Sequence, residues 1–453
     1  MPEPTLKKDI IESGSSTPPQ NIPPTPHELR RKETQTAITD SSIMTDAIVP
    51  FLSASPSPPP NGGFWAWMSG FFIIMNTWGV FISFGVFQAY YVIALERSSS
   101  DISWIGSFEV FLLFFVGSIG GVLTDAGYFR STVATGGILI VLGTFTTSAS
   151  TAYWQVFLAQ GVCAGLGSGL IFTPVMTVIS TYFTTKRAVA LAIAACGSTV
   201  GGLVFPSMAR TLLPTIGFGW TMRAIGFIQM GTLALALVAI KPRVTPQAKG
   251  PLVDWSAFNI PEYALYAAGS FLAFIGVFFP IFYLASYARN VLGLTYTESL
   301  NLLLVLNGIG IIGRLAPSFA APYVGALNLF IGHVASTALI IYLWSTVTTL
   351  QGLNVWTVFF SLAMGGIQSL GPAALGAVKF DVQRQGALLG MVYSVTGFGV
   401  LIGPPVSGAL VSGESYLNAQ IFAATCMTMG VAVLVAAREV KRRRDSMGVW
   451  AKL

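Results

Sequence analysis

After about sixty largely polar residues, the chain settles into apolar runs of roughly twenty residues or more. They lie at 64–94, 102–124, 132–150, 154–181, 188–212, 220–240, 263–287, 299–320, 323–344, 353–378, 386–412 and 417–437, with short polar breaks between them. A hydrocarbon core of about 30 Å takes about twenty residues of helix to cross. Each run therefore predicts one spanning helix, twelve in all. Strands with free edges are ruled out, because a backbone facing lipid must satisfy its own hydrogen bonds. The expected fold class is an all-α membrane protein of two six-helix halves. Its weakest break is the turn expected at Ala320–Tyr323.

The first run, NGGFWAWMSGFFIIMNTWGVFISFGVFQAYY at 61–91, has no basic stretch just before it and far exceeds the apolar core of a secretory signal. It reads as the first helix of the mature protein. Asn76, Gly79 and Ser83 follow i, i+3, i+7 spacing and give it one small, polar face. Gln88 falls on another face, suited to packing or to the outer mouth.

Composition agrees with this pattern. The 453 residues are 53% hydrophobic and 9% charged, with a mean hydropathy of +0.70, whereas a soluble domain is about one-quarter charged. No soluble region is large enough to hold a catalytic site, so the chain is not expected to be an enzyme. Residues 1–60 contain 12 of the 25 prolines and read as a disordered cytoplasmic tail, because they cannot bury enough apolar area to offset the entropy of ordering. The longest later break, 241–262, divides the helices six and six: an N-terminal half at 61–240, a central cytoplasmic loop, a C-terminal half at 263–437 and a basic tail at 438–453.

A net charge of +6 could suggest a nucleic-acid partner, but the bases lie mostly between the apolar runs. With the N-terminal tail inside, 19 of the 24 Lys and Arg fall on the cytoplasmic side and four outside, leaving Arg314 within a helix. This bias places both termini in the cytoplasm, with the plasma membrane the expected location. Cys163, Cys196 and Cys426 fall inside apolar runs with no close pair and no metal-ligand spacing, so neither disulfide nor metal is expected. The glycine-rich stretch around 164–169 lies in a spanning run and lacks the Lys-Ser/Thr of a phosphate loop. No cofactor is expected, and energy should come from a gradient.

Two ionisable residues lie deep in the runs. Arg314, in LVLNGIGIIGRLAPSF, costs several kcal/mol in lipid unless it faces a cavity or a partner. Asn307 is two turns earlier and shares its face, and a guanidinium can hold a carboxylate through two parallel bonds. A snorkelling or gate-forming role near the helix end is the plainer reading. Glu109, in WIGSFEVFLLFFVG, is the other, and burial would suit it to carrying a proton. It lies five residues beyond Trp104, an interface anchor, so a shallow and partly hydrated position is also open. The stripes Gly161, Gly165, Gly169 and Gly197, Gly201 suit close helix packing.

The loop Gly121-Val-Leu-Thr-Asp125-Ala-Gly127-Tyr-Phe-Arg130 resembles the G-x-L-x-D-x-x-x-x-R signature of the major facilitator superfamily, where an acid and a base form a cytoplasmic gate. NGGFWAW and TYFTTKRAVALAIAACGSTVGG at 181–202 are similar to the signatures of the monocarboxylate transporter family, the latter through Tyr182, Phe183, Lys186, Arg187, Ala190, Ala194, Gly197 and Gly201. GFGWTMRAIGF and GFGVLIGPPVSGAL resemble its fungal branch. The resemblance implies that helices one, four, seven and ten line a central cavity. Asn76, Ser83, Gln160, Tyr283, Tyr287 and Gln368 would then be polar liners, joined by Asn307 and Arg314 from helix eight. Arg314 matches the family's carboxylate-binding arginine, and Lys186 and Arg187 would join Gly121, Asp125 and Arg130 at the gate.

The departures redirect the reading. Gly310 stands where animal members carry an aspartate, and residues 64–94 contain no Lys, Arg, Asp or Glu, where they carry a lysine. After helix eight, Ala321-Pro322-Tyr323 replaces the acidic repeat of the signature. The expected function is therefore a secondary transporter exporting a small organic solute, an acidic secondary metabolite, by alternating access. The alternative is proton-coupled uptake of a monocarboxylate or a vitamin such as riboflavin, with Glu109 as proton carrier. A channel, a receptor with enzymatic activity and a sensor on a transporter scaffold gain no support from any motif. The partners are the solute and the bilayer; oligomeric state is not encoded.

Overall fold

The computed structural model describes residues 63–182, 187–240, 255–378, 385–411, 415–448 and 451–452. The N-terminal tail at 1–60, Lys186 and most of the 241–262 loop lie outside the described residues, as do the side chains of Asp125 and Arg187.

Among the described residues, twelve helical spans follow one another. The first, α1, is broken into Phe64–Asn76, Trp78–Ile82 and Phe84–Ala94. Then come α2 (Ser99–Asp125), α3 (Phe129–Ser148) and α4, which runs as Tyr153–Val156, a π-helical stretch Phe157–Ala164, and Gly165–Tyr182. The helix Arg187–Ala239, at 53 residues, would be far longer than a bilayer is thick. It turns at Gly217, whose φ of 76° and ψ of 172° suit only a residue without Cβ, so 187–216 form α5 and 218–239 form α6.

The second half repeats the plan. Span α7 is Pro261–Val277 and Phe279–Asn290, preceded by a short 3₁₀ turn at Trp255–Asn259. It is followed by α8 (Tyr296–Val324), α9 (Ala326–Trp344), α10 (Leu350–Ala377), α11 (Gln385–Leu410) and α12 (Leu417–Arg444). The break in α7 has a clear cause: Pro280 has no N–H to donate, and its ring crowds the carbonyl four residues back.

Two expected boundaries move. The turn placed at Ala320–Tyr323 lies instead at Gly325, with φ 100°, because Pro317 and Pro322 are absorbed into α8 and only the glycine takes the left-handed backbone. The tail expected from 438 is helical as far as Arg444. Glu439 pairs with Arg442 and Arg443 at 2.7 Å, one turn on, and basic residues suit a helix C-terminus.

Large apolar side chains on the outside, such as Ile138 (67% exposed) and Val238 (76%), face where lipid tails would lie. Close approach inside each half rests on glycine. A methyl group on Gly201 of α5 would sit 2.5 Å from the Met75 carbonyl oxygen and 2.7 Å from the Gly79 Cα of α1. Gly161, Gly165 and Gly169 bring α4 onto the backbone of α2 at Ile105, Glu109 and Leu112. The packing role of both stripes is thereby direct.

The halves meet along α2 with α11 and α5 with α8. An aromatic cluster fills the middle of this seam. Trp78 of α1 contacts Phe114 of α2 (5.5 Å between ring centres), Phe172 of α4 (5.9 Å) and Phe278 of α7 (6.4 Å), and Phe114 stacks on Tyr393 of α11 at 4.9 Å.

Candidate functional site

Arg314 occupies the seam between the halves. It is 4% exposed, ten residues before the end of α8 and so about 15 Å inside the span. Its Nε donates to Gln368 Oε1 of α10 at 3.0 Å, and Nη2 donates to the same oxygen. No carboxylate pairs with it among the described residues. One amide oxygen thus accepts both arms of a fork whose shape matches a carboxylate, and the Gln368 Nε2 has no partner.

The pocket around it is lined by Ile82 of α1, Asn307 and Gly310 of α8, and Ser361, Met364 and Gly365 of α10. Asn307 spends its Nδ2 on the Leu303 carbonyl at 2.9 Å, leaving Oδ1 without a partner. Its amide lies against Gly202 of α5, where a Cβ would collide with it. Gly310, where animal relatives of the resembled family have an acid, leaves room beside Nη1: a methyl there would lie 3.0 Å from it. The void measures about 10 Å³ open to the centre of a water molecule. That is room for one water.

A second polar group lies elsewhere, inside the N-terminal bundle. Glu109 is 2% exposed, packed among neighbouring helices. The glycine stripe of α4 lets the helices approach closely at Glu109 and brings Gln160 within hydrogen-bond reach of its carboxyl group. Gln160 Oε1 also accepts from the Tyr91 hydroxyl at 2.8 Å. These side chains border a void with Asn76, Thr144 and Gln229, contributed by α1, α3 and α6. Asn76 donates to the Phe72 carbonyl and to Thr232 Oγ1, both at 2.7 Å, and its Oδ1 is unpartnered.

Sequence comparison supplies the family. The Major Facilitator Superfamily profile matches residues 66–378, which is more than half of the chain. The chain belongs to the Major Facilitator Superfamily. An MFS-type transporter of Gibberella zeae is 45% identical over 419 residues, covering 91% of this chain and 95% of its own length. An agnestins efflux protein of Paecilomyces divaricatus is 33% identical over 395 residues, 85% of this chain and 90% of its own. An aspyridones efflux protein of Emericella nidulans is 31% identical over 420 residues, 91% and 86%. With its apolar spans, this major facilitator is a multi-pass membrane transporter of small solutes.

The eight candidate liners of this transporter do not converge on one cavity. Arg314, Asn307 and Gln368 come together in the seam, whereas Asn76 and Gln160 face the interior of the N-terminal bundle with Glu109. Ser83 is fully buried and donates to the Gly79 carbonyl of its own helix at 2.6 Å. Tyr287 donates to the Val347 carbonyl at 2.6 Å, within the C-terminal half. Tyr283 clasps the halves together: its hydroxyl meets Ser103 Oγ at 2.5 Å and donates to the carbonyls of Ser99 (3.1 Å) and Pro404 (3.2 Å).

At the signature loop, Gly127 takes φ 91°, Gly121 packs on Thr173 of α4, and Arg130 is exposed at the start of α3. Gln88, for which packing or the outer mouth was left open, is fully buried near the Tyr283 hydroxyl. The aromatic seam of Trp78, Phe114, Phe278 and Tyr393 was not singled out from the sequence. Its only local signal was the density of rings in each run, which does not say which rings meet.

Proposed function

We propose that this transporter exports a small organic acid of the secondary-metabolite kind from a fungal cell, by alternating access between its halves. The observation that carries the reading is Arg314: a buried guanidinium in the seam, its fork held by a neutral glutamine and by no carboxylate among the described residues. A solute carboxylate can displace one amide oxygen and accept both arms. The aromatic side chains across the seam suit an apolar body attached to that acid. Relatives bearing the names of agnestins and aspyridones efflux proteins point the same way.

On this reading the chain is a fungal relative of the monocarboxylate porters. Asn307, with its free Oδ1, orients the solute beside Arg314. Both termini face the cytoplasm and the protein resides in the plasma membrane, as the distribution of basic residues supports. The signature loop, from Gly121 and Asp125 to Arg130, with Lys186 and Arg187, forms the cytoplasmic gate.

The buried carboxyl group of Glu109 favours a second reading, proton-coupled uptake of a monocarboxylate or vitamin. The two part on direction. Comparing the metabolites of cells and medium with and without the gene separates them: an organic acid retained inside the deletion strain supports export, and its depletion inside supports uptake.

A further inference from the structure

The glycine stripe of α5, Gly197 and Gly201, packs against α1. At about 100° per residue, Cys196, Thr199 and Gly202 fall on the opposite face of α5, which meets α8. Two contacts fix the register. A Cβ on Gly310 would lie 3.0 Å from Arg314 Nη1 and 3.5 Å from Thr199 Cγ2, and a Cβ on Gly202 would collide with the Asn307 amide. Positions 202, 199 and 196 of α5 therefore run against 307, 310 and 314 of the antiparallel α8. This pairing sets Cys196 opposite Arg314. Their depths agree: Cys196 is nine residues into α5, about 14 Å, and Arg314 is ten residues before the end of α8, about 15 Å. The two side chains also interact electrostatically across the seam.

The chemistry along this face is uneven. Thr199 is fully buried and returns its hydroxyl to the Cys196 carbonyl at 2.7 Å, so its methyl is what faces Gly310. Cys196 is partly exposed and its thiol is in no disulfide. Across from this face, Asn307 is 1% exposed and holds its unpartnered Oδ1 against Gly202. Arg314 sends Nε and Nη2 to Gln368, leaving Nη1 on the side of Gly310 and α5. An unused acceptor and an unengaged arm of the guanidinium thus both lie toward α5. Its one polar side-chain group that is not turned back onto its own helix is the Cys196 thiol.

We propose that α5 supplies a wall of the Arg314 site from the N-terminal half, and that the Cys196 thiol is a modification site for small anionic electrophiles drawn in by Arg314. The proposal rests on the reading of Arg314 as an anion anchor and adds the position that faces it. The ligand class is an organic anion, carboxylate or sulfonate, that carries a soft electrophilic centre close to its charge. With an alkyl methanethiosulfonate the step balances as follows. The thiol gives its proton to water, and the thiolate attacks the sulfur that bears the alkyl group. A disulfide to Cys196 forms, and methanesulfinate leaves with the electron pair of the broken S–S bond. The adduct then stands beside the guanidinium, where the solute would lie.

Thiol labelling of the detergent-solubilised full-length protein, with Cys163→Ser and Cys426→Ser in place, tests it. The probes are the anionic sulfonatoethyl and the cationic trimethylammonioethyl methanethiosulfonates. Adducts are counted by intact-protein mass spectrometry, and each rate is divided by that reagent's rate with mercaptoethanol. The anion should be preferred over the cation by roughly tenfold or more. That preference should survive in Arg314→Lys and fall to near equality in Arg314→Ala. Near-equal rates with Arg314 in place, or labelling by N-ethylmaleimide and by neither charged reagent, would put Cys196 on the lipid face and overturn the proposal. If Arg314→Ala does not fold, the ratio measured with Arg314 in place decides alone. The export reading fails separately. Normal release of the organic acid by cells carrying Arg314→Ala would defeat that reading while the lost preference keeps this site, whereas retained acid with an unchanged preference would spare the reading and remove the site.

Discussion

On the proposed reading, solute recognition turns on Arg314 and Gln368, and their geometry constrains what each substitution can do. A lysine at 314 keeps the charge but has no planar fork. Arg314→Lys should lower transport of an acidic solute by roughly tenfold, equivalent to about 1.4 kcal/mol, measured as initial rate at equal surface expression. Gln368→Glu places a permanent carboxylate where the amide oxygen now lies. It should abolish movement of the acid while leaving the protein folded, and unimpaired transport would show that the fork is not where the solute binds. Arg314 was legible from its charge inside an apolar run. Gln368 entered only as one of several polar liners, because a partner 54 positions away leaves no periodic trace.

At the scale of helices, the packing argument concerns glycine and the conformational argument concerns Tyr283. A branched side chain at Gly201 has no room against the Met75 carbonyl and Gly79. Overpacking of this kind costs typically about 1–3 kcal/mol, so Gly201→Val should lower the apparent melting temperature of the detergent-solubilised protein. The clasp behaves differently. Tyr283→Phe keeps the ring but loses the hydroxyl that joins α7 to α2 and α11. It should change the maximal transport rate more than the apparent affinity, which initial rates across solute concentration would show. The spans, and the turn between α5 and α6, were readable because hydropathy is local. The breaks of α1 at Thr77 and Ser83, and the π-helical stretch of α4, were not, because hydropathy records neither hydrogen-bond register nor backbone angles. Tyr283 was assigned to the cavity on family pattern. Its contact with Ser103 spans 180 positions, beyond any periodicity.

For the whole molecule, the two halves meet across a seam with an aromatic middle, an arginine pocket with room for one water, and a hydroxyl clasp. A second polar void lies within one half alone. On the proposed reading, this arrangement keeps solute binding on the moving boundary, where rocking of the halves can open it. The distribution of basic residues makes a further prediction: an epitope at either terminus should be reached by antibody only after the plasma membrane is permeabilised. Labelling of intact cells would reverse the orientation. The central claim is that an organic acid leaves the cell by way of Arg314. The most direct measurement compares intracellular and medium metabolites in a deletion strain carrying either the wild-type gene or Arg314→Ala, at matched surface expression. The account predicts an organic acid retained in the deletion strain, released by the wild-type gene and still retained with Arg314→Ala; equal release by both genes would contradict it.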